Sequence, residues 1–212
     1  MRIIIAGGHG KIALRLERRL KSRAVGIVRN PAHVADVEAT GAEAVVCDLE
    51  RADLEQVRRI VEGADAVVFA AGAGPGSGAA RKDTVDRAAS VLLADAAEQA
   101  GVRRFVQISS MGAGKPPAGG DEVWAAYIRA KTEAEDDLRR RDLDWTILRP
   151  GHLTDEPGTG LVKLVPQAPR GSVPRDDVAA VIVALLTGSG TVGQTLELVS
   201  GDTPISELVA PE

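Results

Sequence analysis

The sequence predicts an α/β fold, namely a doubly wound, mainly parallel β-sheet with helices on both faces. Short apolar segments alternate with amphipathic ones along nearly the whole chain, and strands that alternate with helices form parallel units with right-handed crossovers. A glycine-rich turn also lies directly between the first apolar segment and the first helical one. The chain has 212 residues, a length that fits one domain over 1–212.

Hydrophobic periodicity and helix-ending residues place the elements of the first half. Residues 3–6 form an apolar strand that glycines end, and apolar residues then recur at helical spacing up to Leu20. Pro31 begins the second helix, and glycine ends the second, third and fourth, at Gly41, Gly63 and Gly101. The expected strands are residues 3–6, 24–28, 44–47 and 66–71. The expected helices are residues 12–20, 31–41, 51–62 and about 80–100.

The second half continues the alternation and adds long loops. We expect strands at 104–109, 145–149 and 195–199, and helices at 121–141, 175–186 and, briefly, from about 204. Residues 151–212 therefore add a loop, a helix and a last strand beside the expected ligand site. Three glycine- and proline-rich loops follow strands, at 72–78, 112–120 and 151–171. Because doubly wound sheets bind ligands at the carboxyl ends of their strands, we expect these loops to be mobile walls of a site.

Composition indicates which partners and which cellular compartment to expect. The formal net charge is −4, and two Phe, two Trp and one Tyr are all the aromatics, which disfavours nucleic acid and a membrane as partners. Cys47 is the single cysteine, so no intrachain disulfide can form. The longest apolar run, residues 178–186, is far shorter than the about 20 residues of a membrane-spanning helix. We therefore expect a cytoplasmic protein, either a monomer or a homodimer.

Residues 6–13, AGGHGKIA, match a dinucleotide-binding pattern. Gly8 begins G-x-G-x-x-A and Gly7 begins G-x-x-G-x-x-A, between a strand and a helix as the motif requires. Glycine permits a tight turn and close approach to a pyrophosphate, while the helix N-terminus offers free N–H groups. The cofactor contacts expected here are Gly7, Gly8, His9, Gly10, Lys11 and Ile12.

The end of the second strand indicates which dinucleotide is bound. An Asp or Glu about 20 residues after the glycines would bind the ribose 2′-hydroxyl of NAD, but Val28 is followed by Arg29 and Asn30. A guanidinium suits a 2′-phosphate, so we expect NADP (NADPH) in preference to NAD; alternatively, Arg29 only ends a surface strand. Asp48 and Leu49 are placed to meet the adenine, although Asp48 could equally cap the next helix.

Seven motifs together indicate a family. They are AGGHGKIA (6–13), IVRNP (27–31), CDLE (47–50), VVFAAGAG (67–74), FVQISSMG (105–112), YIRAK (127–131) and TILRPGHLT (146–154). With them the chain resembles the short-chain dehydrogenase/reductase superfamily, specifically its atypical, NmrA-like NAD(P)H-binding branch, over nearly all of its length. The resemblance implies a Rossmann-type fold and a nicotinamide cofactor, and says much less about the substrate.

The resemblance also implies catalytic residues. Tyr127 and Lys131 lie at i and i+4 of a predicted helix, so their side chains share one face. In the chemistry of the superfamily, the tyrosine gives a proton to the substrate carbonyl, and the lysine binds the nicotinamide ribose and makes the phenol more acidic. Ser110 matches the residue that hydrogen-bonds the substrate oxygen. The alternative is a half-buried tyrosine beside a solvated lysine.

Further cofactor contacts follow from the same resemblance. Residues Ala70, Ala71 and Gly72 should pass beneath the cofactor ribose, and residues Pro150, Gly151, His152 and Leu153 should border the nicotinamide. His152 could act as an alternative acid or only line the pocket, and His33 is expected to be an exposed helix residue. No metal site is expected, because three scattered histidines and one cysteine have no ligand spacing.

Three functions remain. The leading hypothesis is an NADPH-dependent oxidoreductase that transfers hydride to a small carbonyl, quinone or flavin-like acceptor. The alternative is a non-catalytic NAD(P)H-binding protein that regulates a partner or senses redox state. A nucleotide-sugar epimerase or dehydratase is the third, and it is disfavoured because only about 60 residues follow the sixth strand, where such enzymes carry a larger sugar-binding domain.

Overall fold

The computed structural model describes residues 1–74, 76–115 and 121–208. Its main sheet has nine strands in the order β11-β8-β10-β6-β5-β4-β1-β2-β3. The strands are β1 Ile3–Ala6, β2 Ala24–Val28, β3 Glu43–Val46, β4 Ala66–Phe69, β5 Arg104–Ile108, β6 Asp144–Pro150, β7 His152–Thr154, β8 Leu161–Val165, β9 Ser172–Pro174, β10 Gln194–Ser200 and β11 Thr203–Pro204. The first six strands and β10 are parallel, which confirms the predicted fold class.

Helices cover both faces of the sheet. They are α1 Lys11–Leu20, α2 Val34–Glu38, α3 Leu54–Val61, α4 Ala79–Arg81, α5 Ala89–Gln99, α6 Glu122–Leu138 and α7 Arg175–Thr187. A π-helix, Lys82–Ala88, joins α4 to α5. In the described parts of the chain, no helix is both long and apolar enough to cross a membrane.

The two faces are built by strand alternation. Ile3 and Ile5 belong to one buried cluster, with α1 and α7, whereas Ile4 belongs to the other, with α3, α5 and α6. Successive residues of a strand point to opposite faces, so a fully apolar strand such as β1 contributes to both cores. The sheet is thereby fixed between two helical layers, and the carboxyl ends of β1, β2, β3 and β4 meet at one edge.

Several predicted boundaries are wrong for local reasons. The third helix begins at Leu54 rather than 51, because the Asp53 carboxylate accepts from the Gln56 N–H (2.8 Å) and caps it there. The second helix is split into a short 3-10 turn, Pro31–His33, and α2. The predicted terminal helix is a 3-10 turn, Ile205–Glu207.

The segment 151–171 is the largest correction. We expected a mobile loop, but it contains β7, which pairs with β9, and β8, which pairs with β10 in antiparallel register. Residues 151–212 thus add strands β7, β8, β9 and β11 as well as the expected α7 and β10. The β8 segment is short and lies between a glycine and a proline. These neighbours hide its pattern of apolar residues, and we therefore predicted a loop. Of the predicted loop 112–120, residues 116–120 lie outside the described residues.

Candidate functional site

The glycine turn after β1 is shaped to receive a ligand. Gly7 has φ +81°, and a Cβ on it would lie 2.6 Å from the Ala71 Cα, so only glycine fits. Gly10 lies in an extended conformation at the start of α1, and no side chain caps that helix. The first N–H groups of α1 therefore lack a capping side chain, and the positive end of the helix dipole lies at the cleft. Gly8 packs instead against β2, where its N–H donates to the Ile27 carbonyl (2.9 Å).

A cleft of about 320 Å³ opens at the carboxyl ends of β1 to β4. Nine of the predicted cofactor residues line it: Gly7, His9, Gly10, Arg29, Asp48, Leu49, Ala70, Ala71 and Gly72. Gly8, Lys11, Ile12, Lys131 and residues 150–153 do not line it. A cradle that a Cβ would fill, next to an uncapped helix N-terminus, fits the pyrophosphate of a dinucleotide.

The outer end of the cleft holds a cluster that the sequence did not reveal. The Glu50 carboxylate accepts from Arg29 (2.9 Å), from Arg81 (2.8 Å) and from the Thr84 hydroxyl (2.7 Å). These hydrogen bonds, that from Arg81 first, lower the pKa of Glu50 to about 2. Glu50 follows Asp48-Leu49 in the CDLE motif, and Arg81 lies near the start of a helix, so only the fold brings them to Arg29.

Two histidines stack at the same end. The rings of His9 and His33 are 3.6 Å apart at 12°, and His9 Nε2 lies 2.8 Å from the Asp36 carboxylate. The prediction that His33 is an exposed helix residue is wrong, because it is half-buried and lines the cleft. Stacking on a glycine-turn residue places it there.

Asp48 lines the cleft and does not cap α3. Its carboxylate accepts from the Glu50 N–H (3.1 Å) within its own turn, whereas Asp53 is the N-cap residue of α3. Of the two interpretations of Asp48, the structure therefore excludes the capping one.

Tyr127 and Lys131 come together on one face of α6. The Lys131 ammonium lies 5.8 Å from the centre of the Tyr127 ring, 3.1 Å from the Asp86 carboxylate and 3.3 Å from the Ile108 carbonyl. The Lys131 side chain is 5% exposed, so the interpretation of a solvated lysine is wrong. Asp86 is also buried, and it accepts from the N–H of Ala73, a residue that lines the cleft. The Tyr127 and Lys131 cluster is thus joined to the wall of the cleft.

Ser110 lies just beyond β5, half-buried. Its hydroxyl donates to the Met111 carbonyl at 3.4 Å, and this is its one hydrogen bond within the described residues. The Lys131 acceptor, Ile108, is two residues before it. The strand end therefore brings Ser110 near the cluster, without a direct bond to Tyr127.

The expected nicotinamide-side residues are held by backbone pairing. The Gly151 N–H donates to the Leu198 carbonyl (2.9 Å) and the His152 N–H donates to the Gly171 carbonyl (2.9 Å). The His152 side chain is exposed. Nearby, Lys11 pairs with Asp155 at 2.6 Å, which ties α1 to this segment and directs the Lys11 ammonium away from the cleft.

No group of three His, Cys, Asp or Glu side chains is arranged to hold a metal ion in the residues that the structure describes. The carboxylates at the site pair with Arg or Lys, except that Asp36 pairs with His9. The site offers hydrogen-bond donors, cations and one phenol.

Known proteins resemble the chain over nearly its whole length. Residues 7–189 match a family model described as NAD(P)H-binding. A Bacillus subtilis relative, named uncharacterized sugar epimerase YhfK, is 35% identical over 98% of both chains. A Bacillus halodurans structure, named an NAD-dependent epimerase/dehydratase, has a TM-score of 0.90 at 37% identity and covers 99% of this chain and 98% of its own. An Escherichia coli structure, ChuY, named an anaerobillin reductase, has a TM-score of 0.78 at 26% identity, with 96% and 98% covered.

Proposed function

Because the chain belongs to the NAD(P)H-binding family of the atypical short-chain dehydrogenases/reductases, we propose that it is an NADPH-dependent reductase. Its acceptor would be a small carbonyl, quinone or flavin-like molecule. The observation that carries the proposal is the buried pair of Lys131 and Asp86 beside Tyr127, joined through Ala73 to the cleft. A purely structural helix face has no need of a buried ion pair next to a phenol.

Each part of the site has a role in this proposal. The glycine turn and the N-terminus of α1 bind the pyrophosphate, and bound NADPH supplies the hydride. Tyr127 gives a proton to the acceptor oxygen where one is needed, and the Lys131 ammonium, held by Asp86, stabilises the phenolate that remains. Ser110 hydrogen-bonds the acceptor oxygen.

The preference for NADPH rests on charge at the outer end of the cleft. Arg29 and Arg81 contribute two positive charges and Glu50 one negative charge, so the cluster is net positive. Arg29 has a side chain that is 54% exposed, which leaves its guanidinium accessible to a 2′-phosphate. An NAD-specific site would carry a carboxylate free to bind the ribose. Glu50 is occupied by both arginines, and Asp48, which also lines the cleft, accepts from the Glu50 N–H.

Two names borne by relatives suggest epimerisation, but the region after β6 favours reduction. Strands β8, β10 and β11 extend the main sheet, and β7 pairs with β9 beside it. Among the residues that the structure describes, those after β6 therefore extend the sheet or pair beside it, and they form no separate domain for a sugar nucleotide. The E. coli relative is a reductase by name, in line with the proposal.

The test is turnover by wild type and Tyr127→Phe. NADPH oxidation is followed with panels of carbonyls, quinones and flavins, and NADPH affinity is measured for both proteins. We expect Tyr127→Phe to retain NADPH binding and to reduce carbonyls about 10²- to 10⁴-fold more slowly. Equal rates with every accepted substrate would reject the proton-donor role. Binding of NADPH without turnover of any acceptor would favour the non-catalytic regulator.

A further inference from the structure

A second buried lysine lies beside Tyr127. Lys82 is the first residue of the π-helix and is 8% exposed. Its ammonium lies 5.3 Å from the centre of the Tyr127 ring and donates to the Gly74 carbonyl at 2.9 Å. Nothing in the sequence pattern pointed to it, because it sits in a charged segment, ARKDTVDR, typical of a solvated helix.

The charge of Lys82 has no counterpart in the described residues. No carboxylate oxygen among residues 1–74, 76–115 and 121–208 lies within 4.0 Å of its ammonium, whereas Lys131 has Asp86 at 3.1 Å. The group around Tyr127, which consists of Lys82, Lys131 and Asp86, therefore holds two buried ammonium ions and one carboxylate. A buried charge without a partner is destabilising, so the fold keeps Lys82 here at a cost.

Lys82 lies on the face of the π-helix that is turned toward Tyr127. Arg81 and Val85 line the cofactor cleft, while Lys82 and Asp86 face α6 on the other side. π-helical turns are rare and often occur at functional sites. One face of this helical segment thus lines the cleft, and the other face lies beside Tyr127.

The free donors of Lys82 define what could bind there. An ammonium has three N–H donors, and within the described residues one of them has a partner, the Gly74 carbonyl. Tyr127 is half-buried, so the group around it remains partly open to solvent. Trp124, which is 43% exposed, lies with its ring centre 5.5 Å from that of Tyr127 and gives the opening an aromatic edge.

We propose that Lys82 binds an anionic group of the substrate, a carboxylate or a phosphate monoester, next to the oxygen that Tyr127 protonates. The reductive part of this assignment rests on the proposed function, whereas the anion site itself does not. Binding of the anion would neutralise the one uncompensated charge of the group, and its oxygens would accept from the two remaining donors.

The first test is binding, which needs no turnover. Benzoate and phenyl phosphate are titrated calorimetrically into the protein with and without NADP⁺, with benzyl alcohol as the neutral probe. The variants are Lys82→Met, Lys82→Arg, which keeps the charge, and Lys163→Met, which removes an exposed lysine of β8. We expect Lys82→Met to lower the affinity for both anions by about tenfold or more. Lys82→Arg and Lys163→Met should bind both anions with affinities close to that of wild type. Equal anion affinity in wild type and Lys82→Met, or no anion binding to wild type, would overturn the proposal.

Thermal unfolding separates a binding role from a structural one. If Lys82 is an unpartnered charge, Lys82→Met raises the melting temperature of the ligand-free protein, and benzoate raises that of wild type only. A clear fall in the melting temperature of Lys82→Met would mean that the bond to Gly74 holds the fold, and would overturn the proposal. If NADP⁺ fails to bind, the proposed reductase fails, while the anion titrations of the ligand-free protein still decide the role of Lys82.

Kinetics distinguish Lys82 as an anion ligand from Lys82 as a second cation acting on Tyr127. The probes are 4-carboxybenzaldehyde and 4-methylbenzaldehyde. We expect Lys82→Met to raise KM about tenfold or more for the carboxylate only. An equal loss of kcat for both aldehydes with KM unchanged would assign Lys82 to the phenol and overturn the anion site.

Discussion

The buried Glu17 should make the stability of the protein depend on pH in an unusual way. It lies on the buried side of α1, is 0% exposed, and neither carboxylate oxygen has a hydrogen-bond partner in the described structure. It packs between the glycine turn and β2: a Cβ on Gly8 would lie 3.1 Å from Glu17 Oε1, and a Cβ on Gly26 of β2 would lie 2.5 Å from it. Burial raises the pKa of Glu17 from 4.5 to about 8, and Arg18 offsets this only in part. The folded protein therefore keeps this carboxyl protonated at neutral pH.

The magnitude follows from the two pKa values. Because the folded pKa is raised, the contribution of Glu17 to stability is fully present below pH 4.5 and is lost as the pH rises toward 8. At about 1.4 kcal/mol per pH unit, wild type loses ~3 kcal/mol between pH 4.5 and pH 7 from this group. Glu17→Gln is neutral at every pH and avoids that loss.

Urea unfolding of wild type and Glu17→Gln at pH 5, 6, 7 and 8 measures the effect. We expect similar free energies of unfolding at pH 5 and a variant more stable by ~3 to 4 kcal/mol at pH 8. Glu156→Gln, at an exposed glutamate, should follow wild type throughout. A difference between wild type and Glu17→Gln that stays constant from pH 5 to pH 8 would refute the assignment of a buried, neutral carboxyl.

Three further predictions concern the site. Gly7→Ala places a Cβ 2.6 Å from the Ala71 Cα, at a residue with φ +81°, so we expect the free energy of unfolding in urea to fall by ~1 to 3 kcal/mol. The control Gly190→Ala, where nothing lies within 4 Å, should leave stability unchanged. Equal effects of the two substitutions would refute the close fit at Gly7. Asp86→Asn leaves two buried ammonium ions without a carboxylate, which should cost ~3 kcal/mol; adding Lys82→Met should recover part of it, and a double variant no more stable than Asp86→Asn would contradict this. Because the pKa of Glu50 is lowered to about 2, its ion pairs with Arg29 and Arg81 persist from pH 7 to about 4.5 and weaken as the pH falls toward 2. The difference in melting temperature between wild type and Glu50→Gln should therefore shrink between pH 4.5 and pH 2. A difference that stays constant would disprove this prediction.

The sequence predicted the parts of the molecule that depend on neighbouring residues. The glycine turn is a local motif whose meaning depends on the strand before it and the helix after it, and both are present. The parallel core strands β1, β2 and β4 are continuous apolar runs. Helix faces placed Tyr127 and Lys131 together because the i and i+4 spacing does so in any α-helix.

What the sequence did not predict depends on contacts between distant residues. Asp86 and Lys82 belong to a π-helix, which has no pattern recognisable beside that of an α-helix. Glu50 lies 31 residues from Arg81 and is joined to it only through the packing at the end of the cleft. The strand β8 forms because β10 offers an antiparallel edge, and no local signal specifies that partner. Buried charges of this kind are visible only when the fold shows where solvent is excluded.

The most direct test of the central claim, that the cleft holds NADPH with Arg29 at its phosphate end, is calorimetric titration of NADPH and NADH. The proteins are wild type, Arg29→Ala and, as a control, Arg51→Ala, at a residue near the end of β3 with an exposed side chain. We expect tighter binding of NADPH than of NADH, and Arg29→Ala should remove most of that difference while leaving NADH affinity nearly unchanged. Failure of wild type to bind either nucleotide, or an equal loss of both affinities in Arg29→Ala, would contradict it.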